Sequence, residues 1–259
     1  MSSRPGNILN RLASQGLPVF FASRGTLSPK PDVIQLSGEE ARHVACSRRL
    51  RPGCRIILND GMGLCVRAVV VACARKGVEV KAEEYFSTEN DLLPIEIACP
   101  VIKGERMDWA VAKAAELGVA IIHPVYTEYC VVKQDEGKDA RRLARWRILC
   151  REALKQSRGN FMTAVSEPGR LEDFVSSRGD DGAAIVMWEG EGSVDMRAAW
   201  REQDNRLPLV LFVGPEGGFS KKEIEMFRQR GYSTASCGAR ILRSETAVIS
   251  AVSLFSQLV

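Results

Sequence analysis

The sequence predicts an α/β protein, with a mostly parallel sheet interleaved with helices and a smaller β-rich domain in front of it. Three observations carry this. From Pro94 onward, short apolar runs alternate with helix-patterned segments. Two of those runs, AAIVMWEG and LPLVLFVG, are almost continuously apolar, as parallel strands buried on both faces should be. Before Pro94 the pattern is that of short strands joined by glycine turns.

In the first half, CRIILND, GMG and LCVRAVVVACA read as two strands joined by a tight turn, and KGVEVKAEEYF adds a third. The stretch from Val19 to Phe86 is expected to form a compact barrel. GEEARHVACSRRL instead has the pattern of one helix, with Arg48, Arg49 and Arg51 at its end. STENDLLP, residues 87–94, is the expected linker.

In the second half, IEIACPV is a strand. RMDWAVAKAAELG follows with Met107, Ala110, Val111, Ala114 and Leu117 at helical spacing, and Gly118 as the stop. VAIIHPVY is the next strand, and a long helix is expected at about 140–158. Ser220 and Glu223 stand at capping-box spacing before KKEIEMFRQR, which Gly231 can end.

Composition excludes several classes. No apolar run reaches the roughly 20 residues of a membrane helix. At 259 residues and 45% hydrophobic, the chain can bury a full core and divide into two domains. Its eight cysteines form no C-x-x-C pair, and His43 and His123 are its two histidines, so no metal site is expected. Most of the cysteines are expected as small buried residues in a reducing compartment. The net charge is +4, but no acid precedes Asp32, while Arg4, Arg11, Arg24 and Lys30 are basic. That resembles an organellar transit peptide. The expected compartment is the cytoplasm, or a chloroplast or mitochondrion if residues 1–31 include such a peptide.

LFVGPEGGFSKKEIE, residues 211–225, carries the main chemical signal. Ligands of open parallel sheets bind at the carboxyl ends of strands, where Gly214, Pro215, Glu216, Gly217 and Gly218 lie. Glycines admit a ligand close to the backbone, and Pro215 stiffens the turn. Phosphate readings fail on spacing. A Walker loop would need glycine, lysine and a hydroxyl residue in succession, yet Phe219, Ser220 and Lys221 occur. A dinucleotide fingerprint belongs in a first βα unit, and this turn comes late. A second constellation, CGARILRSETAVISAVSLF at 237–255, ends a strand at Gly238. It then carries Arg240 and Arg243 in a loop and starts a helix near Ser244, with Glu245 and Thr246 in its first turn.

GPEGGFS, followed later by G-x-R-I-L-R-[ST]-E-T-A, resembles the RsmE family of ribosomal RNA methyltransferases in the SPOUT superfamily. KGERMDWAVAKAAELGVAIIHPVYTEYCVVK, from Lys103, resembles another of its segments. LSGEEARHVACSRRLRPGCRIILNDGMG is similar to its PUA-like N-terminal module. The resemblance implies an N-terminal extension at 1–16, a PUA-like RNA-binding β-barrel at 17–87 and a SPOUT methyltransferase domain at 94–259 with a C-terminal trefoil knot. It also implies a homodimer that transfers a methyl group from S-adenosylmethionine to N3 of a uridine in small-subunit ribosomal RNA. A SPOUT enzyme acting on another RNA, or a non-catalytic RNA-binding relative, are the alternatives.

By resemblance the cofactor pocket has three walls. One is Met187, Trp188 and Glu189; the second is Gly214 to Gly218; the third is Gly238, Ile241, Leu242, Arg243, Ser244 and Thr246. Methylating N3 requires loss of its proton and stabilisation of charge on the uracil carbonyls. Arg243 is the residue expected to supply that stabilisation. Glu245 is expected to accept the proton or to fix Arg243.

For RNA, Arg147, Arg151, Lys155 and Arg158 fall on one face of the long helix, opposite Leu143, Trp146, Leu149 and Ala153. With Arg48, Arg49, Lys103 and Arg106 they are the expected phosphate contacts. The chain departs from the family pattern in three places. KQSRGNFMTAVSEP shifts Arg158 by one and has no proline at the usual place, Ala239 replaces a usual proline, and Tyr129 stands where arginine is common.

Overall fold

The structure, a computed structural model, describes residues 16–74, 77–179, 182–188, 190 and 194–258. Most of the expected N-terminal extension, and Glu189, lie outside the described residues. The chain divides into two compact units. One runs through Asp91 and takes in Leu154–Met162; the other comprises Leu92–Ala153 and the chain from Thr163.

The first unit is a five-stranded sheet of β1 (Val19–Phe21), β2 (Val33–Leu36), β3 (Arg55–Asn59), β4 (Leu64–Ala74) and β5 (Gly77–Ser87), in the order β1-β3-β4-β5-β2. The expected glycine turn joins β3 to β4, and Asp60 Oδ1 fixes it by accepting the N–H groups of Met62 (2.7 Å) and Leu64 (2.9 Å). Alternation along the strands turns Ile56, Leu58, Val66, Ala68, Val70, Val78 and Val80 into one core with Phe20, Leu27 and Ile34. Two register shifts in the β4–β5 pairing bend the sheet around that core. Among the described residues no pairing joins β1 to β2, so the expected barrel is an open path of strands.

Two short helices accompany this sheet, α1 (Arg24–Leu27) and α2 (Gly38–Arg42). The latter continues as a π turn, His43–Ser47, beyond which Arg48 and Arg49 are exposed. The segment Leu154–Met162 joins this unit through backbone bonds. The Asp91 carboxylate accepts from the N–H groups of Asn160 (2.8 Å) and Phe161 (3.1 Å). Asn59 Nδ2 donates to the Gly159 carbonyl at 2.8 Å.

The second unit alternates as predicted. Its strands are β6 (Leu93–Pro100), β7 (Val119–Tyr126), β8 (Ala164–Val165), β9 (Gly169–Arg170), β10 (Ala183–Met187), β11 (Leu209–Val213) and β12 (Ser233–Ala235). Its helices are α3 (Glu105–Glu116), α4 (Glu136–Ser157), α5 (Leu171–Ser177), α6 (Met196–Glu202), α7 (Lys221–Gln229) and α8 (Ser244–Phe255). Every strand pairing in this sheet is parallel, in the order β12-β10-β11-β6-β7-β8 with β9 on β7.

Val210 and Phe212 face a core shared with Leu171, Val175, Ile224 and Phe227 of α5 and α7. The intervening Leu209, Leu211 and Val213 are buried as well, and α8 packs on β6, β11 and α3. Helices on both faces explain why these strands read as unbroken apolar runs. The register sets Met187 beside both Val213 and Ala235, so the ends of β10, β11 and β12 lie side by side.

Candidate active site

The segments that leave those three strand ends enclose a cavity of about 290 Å³. That volume is near the lower end for small-molecule sites. Most of the residues expected to hold the cofactor line it: Met187, Trp188, Gly214, Pro215, Glu216, Gly217, Gly218, Gly238, Ile241, Leu242 and Ser244. Thr246 is exposed and is not in the lining. Ile241 is also a partial correction, because at 88% exposure it stands at the rim rather than forming a closed wall.

Each wall is fixed by a local bond. At the first, Trp188 donates its backbone N–H to Ala235 O at 2.9 Å, while the Arg228 guanidinium lies 5.5 Å from its ring centre. The second and third walls are tied together where Ser244 Oγ donates to the Gly214 carbonyl at 2.7 Å. In the third, Gly238 N–H donates to Ser236 Oγ at 3.1 Å, and Gly238 has φ +111°, a conformation that side chains rarely adopt.

The glycine loop is braced from outside. A Cβ on Gly217 would stand 3.1 Å from Tyr129 Cβ, so glycine is what lets the Tyr129 turn come this close. Arg106 pairs with Glu216 at 2.7 Å. Glu223 completes the expected capping box, with Ser220 N–H donating to its Oε2 at 2.8 Å.

The sequence reading missed Val213, Ser236, Cys237, Ala239, Arg240 and Ala247, which also line the cavity. Ala247 lies one helical turn from Ser244, and that spacing could have marked it. Burial pushes the Cys237 thiol above its usual pKa.

The two residues expected to be catalytic both sit at the start of α8. Arg243 is the exposed N-cap residue of α8, and Glu245 is buried in its first turn. Among the described residues no ion pair joins them, so Glu245 does not fix Arg243, and neither lines the cavity. Glu245 Oε2 is buried without a hydrogen-bond partner. A buried unsatisfied oxygen costs about 1–3 kcal/mol.

The basic residues divide. Lys103, Arg48, Arg49, Arg147 and Arg158 are exposed and Arg151 is half-buried. Lys155 departs from the expectation: its side chain is 9% exposed and its ammonium lies 3.0 Å from Glu40. Arg106 departs too, since its guanidinium is held by the glycine loop. At Lys155 a carboxylate replaces solvent, whereas Arg106 keeps 40% of its side chain exposed.

Known proteins match this architecture. A family model described as an RNA methyltransferase domain matches residues 88–256. The ribosomal RNA small subunit methyltransferase E of Mycobacterium tuberculosis is 31% identical over 229 residues, 86% of this chain and 85% of that protein. The chain belongs to that methyltransferase family. The Bacillus subtilis member is 29% identical, over 86% of this chain and 89% of its own. Among solved structures, a methyltransferase from Legionella pneumophila in complex with bound cofactor SAM has 30% identity and a TM-score of 0.83, covering 93% of this chain and 98% of that one. The family member from Neisseria gonorrhoeae, bound to S-adenosyl methionine, has 27% identity and a TM-score of 0.80 over the same shares. No helix among the described residues is long and apolar enough to cross a membrane.

Proposed function

We propose that this chain uses S-adenosylmethionine to methylate N3 of a uridine in small-subunit ribosomal RNA. The observation that carries the reading is the cavity formed where the Gly214–Gly218 loop and the Gly238–Ser244 loop meet through the Ser244–Gly214 bond. The residues suit the cofactor. Glycines expose backbone polar groups to an adenosine edge, and Met187, Trp188 and Leu242 supply apolar surface. When bound, S-adenosylmethionine supplies the methyl group.

The remaining chemistry belongs to the chain. Arg243, exposed beside the third wall, stabilises negative charge on the uracil carbonyls. Glu245, in the first turn of α8 close to Arg243, is the residue assigned to accept the N3 proton. Arg48, Arg49, Lys103, Arg147, Arg151 and Arg158 supply cationic groups for phosphates, free rRNA or assembled subunit alike. The trefoil knot, the homodimer and the PUA-like character of the first unit belong to the same proposal and rest on the family resemblance.

Calorimetry with S-adenosylmethionine, paired with mass spectrometry of small-subunit rRNA treated with the protein, tests the reading. Micromolar binding and one new 3-methyluridine are expected. Cofactor binding with methyl transfer to another nucleotide would reassign the substrate.

A further inference from the structure

Tyr129 stands on the outer side of the glycine loop whose inner side lines the cavity. Gly217 belongs to that lining, and a Cβ added to it would lie 3.1 Å from Tyr129 Cβ, 3.6 Å from its Cγ and 3.7 Å from its Cδ2. One thickness of backbone therefore separates the side chain from the cavity. The residue is nevertheless 48% exposed. Among the described residues its ring has no aromatic partner and its hydroxyl no hydrogen bond.

The turn that carries it is fixed at several points. Cys130 N–H donates to the Thr127 carbonyl at 3.2 Å, Thr127 Oγ1 donates to Cys130 Sγ at 3.3 Å, and Glu128 N–H donates to Glu223 at 2.8 Å. Contact with Gly217 uses the atoms nearest the backbone, so a brace alone would need no aromatic ring. A ring on a fixed turn, half bare to solvent and beside the cofactor cavity, has the properties of a stacking platform for a nucleobase. Its surroundings suit the rest of a nucleotide. Val131, 74% exposed, offers apolar surface, and Lys133 follows as an exposed cation. Lys103 is exposed at the same edge of the sheet, since the end of β6 lies beside that of β7, with Pro100 opposite Val125. Among the described residues neither lysine has an ion pair, so both are available to phosphates flanking a stacked base.

We propose that Tyr129 stacks on an unpaired base next to the target uridine and so holds the RNA strand across the outer side of the glycine loop. The base must be unpaired, because within a helix both of its faces are covered by neighbouring bases. The proposal rests on the reading of the chain as an RNA methyltransferase.

The test is steady-state methylation of unmethylated small-subunit rRNA, free and in assembled subunits, by the full-length protein, with calorimetry of S-adenosylmethionine alongside. Tyr129→Leu keeps side-chain atoms like those that touch Gly217 but removes the aromatic face. It should raise KM for the RNA roughly tenfold, with kcat and the Kd for S-adenosylmethionine unchanged. Tyr129→Phe keeps the ring and should match wild type in all three. A leucine variant with wild-type KM would overturn the proposal. So would equal losses in the leucine and phenylalanine variants, which would assign the contact to the hydroxyl. A raised cofactor Kd that accounts for the whole loss would also overturn it and leave Tyr129 as a brace of the loop. Failure of the wild-type protein to methylate the rRNA would instead remove the functional reading on which the proposal stands.

Discussion

Glu128 donates its backbone N–H to Glu223 Oε1 at 2.8 Å, joining the turn after β7 to the helix that follows the glycine loop. The other oxygen of the same carboxylate caps α7 through Ser220. One buried side chain therefore closes a helix start and aligns the Thr127–Cys130 turn, which places Tyr129 against Gly217. Glu223→Ala leaves the buried Ser220 N–H without its acceptor. It should lower unfolding free energy by about 1–3 kcal/mol in urea titrations and weaken S-adenosylmethionine binding.

Ser244→Ala removes the bond between two cavity walls while leaving the helix intact. Calorimetry should show a loss of about 1 kcal/mol in cofactor binding, roughly a fivefold rise in Kd. An unchanged Kd would mean that the loops hold their spacing without it.

Arg243→Ala and Glu245→Gln separate binding from chemistry. Both should retain the cofactor, since neither lines the cavity. Single-turnover methylation should fall by about 10²-fold or more, as for loss of a charge-stabilising donor or a general base. Wild-type turnover in the arginine variant would sink its electrostatic role.

Cys237 gives a chemical reading of the cavity. It lines the site with its thiol pKa raised by burial, whereas Cys46 and Cys73 are exposed. Mass-mapped maleimide labelling should modify the two exposed thiols first, and saturating S-adenosylmethionine should slow modification of Cys237 alone.

A pH dependence follows from Glu96. The hydrogen bond from His123, at 2.8 Å, holds its carboxyl below the usual value of 4.5 against the opposing effect of burial; the charges of His123 and Arg178 add to the lowering. A depressed carboxylate stabilises the fold above its unfolded pKa and loses that contribution as pH falls through the folded value. Wild type should therefore be more stable than Glu96→Gln at pH 7, and the difference should shrink below about pH 4.5 in urea midpoints.

Local patterns were enough for a large part of this molecule. Continuous apolar runs identified β10 and β11, the Ser220–Glu223 spacing identified the start of α7, and the two loop motifs identified most of the cavity lining. These are properties of neighbours along the chain, where periodicity and capping act over a few residues. Cysteine burial was less legible: Cys65, Cys99, Cys130 and Cys150 are buried, but four others are not.

Only the tertiary structure decided which charges remain available. Lys155 and Arg106 read as surface cations until Glu40 and Glu216, each more than 100 positions away, took them. Likewise Leu154–Met162 joined the first unit because the Asp91 carboxylate accepts its N–H groups across about 70 positions. A one-dimensional pattern cannot show such pairings, because the partners approach each other only after the strands between them have packed. The sequence alone determined the strand–helix alternation and the two glycine-bearing loops; the parallel register of β10, β11 and β12 made them one cavity.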